Sequence, residues 1–326
     1  MGLILAGDIG GTSARLGLFE SAGGVPRPVA AETFDSSKYS DFRDILSAFT
    51  GKLGEQPDAA AFAMPGPVEG GVVRTTNLPW EVDAGKLAEQ LNLTGVGLLN
   101  DLEAVGHSLA VLQPEDLATL NPGKPDAAGN IAIVSAGTGL GEAGCYWDGE
   151  RHHPFPCEGG HADFAPTDDL QVELLIWLRG RMDHVSCERV VSGPGLVEIH
   201  QFLSDTGKYE EPDALARELA GNPDPAHIVR AASEGTSPRC IESLKLFVSI
   251  YGAEAGNMAL KTMARGGVYL GGGIAPKILD YLKGPEFMRA FAAKGRMRPL
   301  LQSMAVRVIV NDKAGLLGAA CFAAMR

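Results

Sequence analysis

Two parts of the chain share one pattern, a glycine-rich turn between two short apolar runs, and this repetition limits the possible folds more than any other feature. In the first copy, residues 3–6 are apolar, residues 14–19 alternate with a two-residue period, and Gly10 and Gly11 lie between them. In the second copy, SAGTGLG lies between the apolar run 131–134 and the run EAGCYW. Each copy is typical of strand, turn and strand. Two copies of one hairpin indicate a duplicated fold.

Helical segments separate and follow the two hairpins. Residues 87–91 predict a short helix, leucines at helical spacing predict a second over 168–181, and residues 241–263 predict a long, buried third. Either Thr167 or Asp168 could cap the second helix. Mixed strands and helices without low-complexity tracts indicate an α/β fold. A length of 326 residues favours two domains, and we place the boundary near residue 110.

Composition excludes several function classes. The net charge of −12 opposes binding along a nucleic-acid backbone. No apolar run is long enough to span a bilayer, and the start MGLILAGDIGG lacks the basic region of a signal peptide, so we expect a soluble cytoplasmic protein with no membrane partner. The five cysteines are widely spaced and form no CxxC pair, which favours reduced thiols over disulfides or structural zinc.

The turn of the first hairpin is a candidate phosphate site. Adjacent glycines allow backbone amides to approach an anion, and Thr12 adds a hydroxyl beside Gly10 and Gly11. The turn is neither a Walker loop nor a dinucleotide fingerprint, because no Lys-Ser/Thr ends it and a strand follows it. Asp8 lies where a carboxylate could hold a magnesium-bound water. An ordinary hairpin turn is the alternative interpretation.

Two further glycine-rich segments repeat this chemistry. The turn of the second hairpin could supply a second set of amides to the same triphosphate, through Gly137, Thr138 and Gly139. The third segment follows a strand-like run and precedes a helix predicted at 274–282, so it could admit a base or a phosphate at Gly271, Gly272 and Gly273.

Asp101 is the candidate catalytic base. The apolar segment Leu98-Leu99 is followed by Asn100 and Asp101 and then by a helix-like run. A carboxylate there could orient an acceptor hydroxyl and take its proton during phosphoryl transfer. Alternatively, Asp101 could simply cap the helix.

Glu158 and His161 form a candidate sugar-binding pair in a proline-flanked loop. A carboxylate accepts hydrogen bonds from sugar hydroxyls, and a histidine can donate or accept them. An exposed salt bridge is the alternative interpretation of the pair.

Four segments occur in family order and spacing: LAGDIGGTSARLGLF, LLNDLEAVGHSL, SAGTGLG and VYLGGGIAPKI. Over nearly the whole chain they resemble the first phosphate motif, catalytic segment, second phosphate motif and adenosine motif of the bacterial glucokinases, in the hexokinase, actin and Hsp70-like ATPase superfamily. No CxCGxxGC cluster follows His161, so the resemblance is to the zinc-free glucokinases rather than to the ROK-type kinases and repressors.

The resemblance implies a two-domain actin-like ATPase fold of the ribonuclease H-like type, with a ligand cleft between the domains. The small α/β domain would comprise residues 1–110 plus 301–326, with a closing helix at 314–325, and the large α+β domain residues 111–300. The family's catalytic aspartate falls on Asp101. Its sugar-binding residues fall on Asn100, Asp101, Glu158 and His161, and on Glu188 through the weaker match of its SCERVVSG segment.

The function implied by the resemblance is that of an ATP:D-glucose 6-phosphotransferase at the first step of glycolysis. Its cofactors would be ATP and Mg²⁺, and its assembly a cytoplasmic homodimer. A kinase for another hexose or an N-acetylhexosamine would carry the same motifs. A non-catalytic sugar sensor or an actin-like ATPase would not require the catalytic set. The preferred phosphate donor, the strictness for glucose, the oligomeric state and allosteric regulation stay open at this point.

Overall fold

The computed structural model of the chain describes residues 2–22, 25–75, 78–125, 127–221 and 223–326. Contacts within the chain define two units. The first comprises Met1–Pro114, His153–Pro156 and Asn311–Arg326, and the second comprises Glu115–His152 and Cys157–Val310. The predicted small domain includes residues 301–310, which belong to the second unit in the structure. The reason is strand pairing, since Val306–Ile309 pairs with Gly267–Gly271.

The strands are β1 (Gly2–Ile9), β2 (Ser13–Ala22), β3 (Val25–Asp35), β4 (Ala59–Met64), β5 (Val68–Glu69), β6 (Val72–Arg74), β7 (Glu81–Asp83), β8 (Gly97–Asn100), β9 (Leu117–Asn121), β10 (Ile131–Ala136), β11 (Leu140–Trp147), β12 (His152–Cys157), β13 (Gly267–Gly271) and β14 (Val306–Ile309). The α-helices are α1 (Phe42–Thr50), α2 (Ala84–Leu91), α3 (Asp101–Ser108), α4 (Asp169–Arg179), α5 (Gly193–Thr206), α6 (Asp213–Gly221), α7 (Pro225–Ser233), α8 (Pro238–Thr262), α9 (Leu279–Leu282), α10 (Pro285–Ala292), α11 (Arg298–Gln302) and α12 (Ala314–Ala324).

The main sheet of the first unit has the order β3-β2-β1-β4-β8, and a small sheet has the order β5-β6-β7. Strand β1 is antiparallel to β2 and parallel to β4, which is in turn parallel to β8. Because side chains alternate along β1, Leu5 joins a core with Phe42 and Phe62, whereas Ala6 faces α12 and packs near Leu316 and Ala319. Helices therefore bury both faces of this sheet.

In the second unit the strands run in the order β11-β10-β13-β14-β9. Strand β10 is antiparallel to β11 and parallel to β13. The core of this unit is built around α8, where Phe247 and Tyr251 are fully buried. The Tyr251 hydroxyl donates to the Val134 carbonyl at 3.0 Å, which satisfies a polar group that would otherwise be costly to bury.

The two predicted hairpins are confirmed as β1–β2 and β10–β11. Both are followed in their sheets by two parallel strands, β4 and β8 in one unit and β13 and β14 in the other. This shared order supports the predicted duplication. The long buried helix predicted over 241–263 is confirmed as α8, which ends at Thr262, and Asp168 rather than Thr167 caps α4 by accepting from the Gln171 amide at 2.9 Å.

All five cysteines are free thiols. Within the described residues, no helix combines the length and the apolar character that crossing a bilayer requires.

Candidate active site

The turn between β1 and β2, residues 10–12, has a fixed backbone. The Gly10 amide donates to the Ser13 carbonyl at 2.8 Å and closes the turn. Buried Ser36 holds it from the other side, because its hydroxyl donates to the Gly10 carbonyl at 2.9 Å and its amide to the Thr12 carbonyl at 3.1 Å. Thr12 stays exposed. The turn therefore presents an exposed hydroxyl on a braced backbone, as a phosphate site requires.

Asp8 is the last residue but one of β1 and lies in a half-buried position beside the start of α12. A Cβ on Gly315 would lie 2.8 Å from Asp8 Oδ2, so glycine is required for this approach. Arg15 is opposite Asp8 in the β1–β2 register and pairs with Asp312 at 3.2 Å. Burial raises the pKa of Asp8, and the charge of Arg15 partly offsets this. A cation would favour the charged form that burial disfavours, so Asp8 fits a water-mediated magnesium ligand.

Asn100, not Asp101, caps α3. The Asn100 Oδ1 atom accepts from the amides of Leu102 at 3.0 Å and Glu103 at 3.4 Å, and Glu103 Oε2 accepts from the Asn100 amide at 3.3 Å. This reciprocal capping box leaves Asp101 as the first helical residue. Asp101 Oδ1 accepts from the Leu102 amide at 2.9 Å, which orients the carboxylate. Helix capping is therefore the role of Asn100, and the alternative interpretation of Asp101 is wrong.

Parallel pairing brings the candidate residues of the first unit to one sheet edge. Asp8 is in register with Ala63 on β4, and Ala63 is in register with Leu99 on β8. Because neighbouring strands lie about 4.8 Å apart, Asp8 and the residues that follow Leu99 are separated by about two strand spacings. Asp101 and the braced turn thus share the carboxyl edge of the sheet.

Glu188 lies directly against the turn between β10 and β11, residues 137–139. Its Oε2 atom accepts from the Leu140 amide at 2.9 Å and fills the space that a Cβ on Gly139 would occupy. The Gly137 amide donates to the Gly139 carbonyl at 2.8 Å, and the Gly193 amide donates to the Gly137 carbonyl at 2.8 Å. The residue predicted with least support from the sequence is thus anchored at the second candidate phosphate turn.

The third glycine-rich segment lies beside the second turn. Gly271 is in register with Ser135 at the end of β10. Gly272 has φ +80°, and a Cβ there would overlap the Ala136 carbonyl, so only glycine fits. A Cβ on Gly273 would meet no atom within 4 Å, so this position borders open space. The carboxyl ends of β10 and β13 therefore bring both glycine-rich segments together.

Glu158 and His161 lie in one exposed loop, residues 158–161. Their side chains are 73% and 60% exposed, and 3.9 Å separates Glu158 Oε2 from His161 Nε2. Such a long, exposed pair contributes little to stability, so both groups are available to a ligand. The Cys187 amide donates to the Ala162 carbonyl at 2.8 Å and joins this loop to the Glu188 segment. Glu158, His161 and Glu188 therefore lie in one region of the second unit.

Comparisons with known proteins identify the family of the chain. A family model described as Glucokinase matches residues 5–326. The chain belongs to the glucokinase family. It is 42% identical to the glucokinase of Nostoc sp. (strain PCC 7120), over 99% of both chains, and 39% identical to the glucokinase of Synechocystis sp. (strain PCC 6803), over 98% of this chain and 97% of that one.

Solved glucokinase structures share the fold. The glucokinase from an Antarctic psychrotroph matches with a TM-score of 0.86 and 28% identity over 100% of both chains. A ROK family glucokinase from Streptomyces griseus, solved with glucose and AMPPNP, matches with a TM-score of 0.69 and 21% identity over 100% of both chains. The predicted actin-like ATPase fold is confirmed, and so is the predicted activity: the chain is a kinase that phosphorylates glucose.

Some residues that contact the candidate site residues are missed by reading the sequence. Ser36 and Gly315 act on the first turn and on Asp8 from distant parts of the chain. Glu142 and Glu254 lie behind the 158–161 loop, and both are buried carboxyls. A buried carboxyl inside an apolar strand or helix is a signal that the sequence does carry, since such residues are rarely buried without a partner.

One further polar cluster of the second unit has the side chains of a metal site, His200, Glu211 and Cys240. The Arg239 guanidinium donates to Glu211 Oε2 at 2.9 Å, and the Ser237 hydroxyl donates to Glu211 Oε1 at 3.2 Å. Arg239 already neutralises the Glu211 carboxylate, which is the charge that a cation would need. The cluster thus joins α5 to the start of α8 as a buried ion pair.

Proposed function

We propose that this chain transfers the γ-phosphate of ATP to the 6-hydroxyl of D-glucose, with Asp101 as general base, at the first step of glycolysis. The observation that carries the proposal is the place of Asp101, at the start of α3, which Asn100 caps, and on the sheet edge that also holds Asp8 and the first turn. The Streptomyces griseus glucokinase solved with glucose and AMPPNP supports ATP as the donor.

In this proposal the polar groups divide the recognition of glucose. Asp101 accepts the proton of the attacking hydroxyl, and its hydrogen bond from the Leu102 amide holds the carboxylate in one orientation. The Asn100 amide group donates to a sugar oxygen, since the Oδ1 atom of that residue is already used in the cap. Glu158, His161 and Glu188 accept from or donate to the remaining hydroxyls.

The glycine-rich segments would bind the nucleotide. Backbone amides of both turns would donate to phosphate oxygens, with hydroxyls from Thr12 and Thr138, while the third segment would border the adenosine. A magnesium ion held through water by Asp8 would supply neutralising charge for the phosphates. Because little covalent chemistry falls to the protein in phosphoryl transfer, these positioning contacts supply most of the catalysis.

Asp101→Asn tests the base. With glucose and Mg-ATP, the wild-type protein is expected to form glucose 6-phosphate, identified by phosphorus NMR. The variant should lose about 10²- to 10⁴-fold in kcat, the usual contribution of a general base, while its dissociation constant for glucose changes little. Asp169→Asn is the matched control, because Asp169 is also the first residue of a helix and is exposed. A kcat of Asp101→Asn within threefold of wild type would show that another group is the base.

We also propose, from the family resemblance, that the chain acts in the cytoplasm as a homodimer. Sedimentation velocity at micromolar concentration measures the assembly, and cell fractionation measures the location.

A further inference from the structure

Two carboxyl groups lie buried behind the 158–161 loop. Glu142 on β11 is 2% exposed and Glu254 on α8 is 4% exposed. Among the described residues, no donor gives a hydrogen bond to either oxygen of Glu142 or to Glu254 Oε1. An unpaired buried carboxylate is costly, and two adjacent carboxylates cannot both ionise cheaply. A proton between the two groups resolves both problems.

The partners of Glu254 identify it as the ionised member. Its Oε2 atom accepts from the Cys187 thiol at 3.2 Å and from the Asn257 amide group at 2.9 Å, while Lys261 Nζ lies 3.7 Å from Oε1. Burial, and next the charge of Glu254, raise the pKa of Glu142 to about 8. At neutral pH Glu142 is therefore mainly protonated, and its hydroxyl is available as a donor to Glu254.

This pair is in contact with the loop that carries Glu158 and His161. Glu142 Oε2 fills the space that a Cβ on Gly159 would occupy, so the middle of the loop rests on this carboxyl group. The neighbouring Gly160 packs on the Leu140 carbonyl, two residues before Glu142 on β11. Any movement of Glu142 is therefore passed to the loop.

The same pair also reaches the Glu188 segment. Cys187, which donates its thiol to Glu254, is the residue before Glu188. The Glu188 carboxylate in turn accepts from the Leu140 amide on the strand that carries Glu142. One buried pair thus supports all three candidate sugar-binding side chains of the second unit.

We propose that Glu142 and Glu254 share one proton and act as positioning residues for glucose, which binds well only while that proton is present. The inference rests on the proposed sugar-binding roles of Glu158, His161 and Glu188. When the proton is lost, two negative charges face each other beneath Gly159, and their repulsion displaces the loop.

Other titratable groups face the pair, but they would not produce the same pH dependence near pH 8. Burial raises the pKa of the Cys157 and Cys187 thiols and of the Tyr251 hydroxyl, which stay neutral near pH 8. The remaining neighbours are charged groups at the edge of the cluster, Glu158, Lys261 and Lys294. Lys294 Nζ donates to the Asn257 side chain at 2.6 Å, and burial lowers the pKa of Lys294. Glu142 is thus the group to substitute.

The direction of the pH effect follows from the raised pKa of Glu142. With a pKa of about 8, the protonated fraction falls about tenfold between pH 7 and pH 9, so the apparent KM for glucose should rise about tenfold. The free energy of unfolding should likewise fall as pH rises. The stabilisation from the shared proton is complete below the ordinary glutamate pKa near 4.5 and is lost as pH rises through about 8.

Glu142→Gln is the deciding variant, because its amide donates to Glu254 at every pH. We expect its KM for glucose, at saturating Mg-ATP, to stay flat between pH 7 and pH 9 while the wild-type KM rises about tenfold. Glu173→Gln is the control, because Glu173 is exposed on α4, and its KM for glucose should rise between pH 7 and pH 9 as the wild-type KM does. Infrared spectroscopy should detect in wild type the carbonyl band of a protonated carboxyl that titrates near pH 8 and is absent from Glu142→Gln.

Three results would overturn the inference: a wild-type KM that does not change with pH, a Glu142→Gln profile that matches wild type, or no titrating infrared band. If Glu142→Gln does not fold, the wild-type protein alone tests the inference. Its infrared carboxyl band must then disappear over the same pH range in which its KM for glucose rises. Failure of the proposed sugar site gives a different pattern. In that case Glu158→Gln leaves the KM for glucose unchanged, while the infrared band is still present and still absent from Glu142→Gln.

Discussion

Three glycines of the site share one property: a carboxyl oxygen occupies or crowds the place where a Cβ would lie. Glu188 fills this space at Gly139, Glu142 fills it at Gly159, and Asp8 crowds it at Gly315. The sequence predicts glycine in the turns because amides must approach phosphate. It does not reveal these contacts, because each carboxyl comes from a part of the chain at least 17 residues away. The need for glycine in the turns was predictable from the sequence, whereas the carboxyl groups that contact these glycines were not.

Gly139→Ala separates these two uses of glycine. The added methyl would overlap Glu188 Oε2, which is the end of a flexible side chain and can move, so the variant should still fold, with a melting temperature lowered by the loss of the hydrogen bond from the Leu140 amide. The displaced carboxylate loses its hydrogen bond from the Leu140 amide and the orientation in which it would accept from a sugar hydroxyl. Since a hydrogen bond to a charged group contributes about 1.5 to 3 kcal/mol, the KM for glucose should rise roughly tenfold or more.

Gly137→Ala is the comparison for that experiment, because its Cβ would meet no atom within 4 Å in the same turn. It shows what an extra methyl does to nucleotide binding, and its KM for glucose should stay within about twofold of wild type. An equal rise in the KM for glucose in both variants would mean that Glu188 does not contact the sugar.

At the scale of elements, prediction succeeded where one strong signal decided the structure. The apolar periodicity of α8 and the glycine turns of both hairpins are such signals. It failed for β3, an edge strand with Pro26 and Pro28 and mostly exposed side chains, because proline and polarity argue against a strand. It also failed for α5, which begins with Gly-Pro-Gly and is capped by Ser192. Pairing and packing, rather than local preference, fix these elements.

Asn100 combines the start of an element with a proposed sugar contact, and two substitutions separate these roles. Asn100→Ser keeps a capping oxygen and the Ser-x-x-Glu capping box with Glu103, but it removes the amide donor. Its unfolding free energy should stay near that of wild type, whereas Asn100→Ala should lose about 1 kcal/mol. Both should raise the KM for glucose by a similar factor, about tenfold, as measured by denaturation and steady-state kinetics. If the KM for glucose of Asn100→Ser equals that of wild type, Asn100 caps the helix but does not contact the sugar.

At the scale of the whole molecule, the last helix completes the first unit from the far end of the chain. Ala6, Ala61 and Leu99 of the sheet pack against α12, so this face of the sheet stays uncovered until Asn311–Arg326 is in place. The apolar composition of α12 indicates a buried helix but not its partner. Family resemblance supplied the discontinuous domain, since nothing local connects residues 1–114 with residues 311–326.

A close approach of α12 to α3 gives this arrangement a direct test. A Cβ on Gly318 would overlap the Ala104 carbonyl, and backbone cannot move aside as a side chain can. Gly318→Ala should therefore lower the unfolding free energy by roughly 1 to 3 kcal/mol, despite the better helix propensity of alanine. Gly95→Ala, which meets no atom within 4 Å in the same unit, should change it by less than about 0.5 kcal/mol. Equal stability of the two variants in urea denaturation would show that the α3–α12 contact does not hold the C-terminal segment on the first unit.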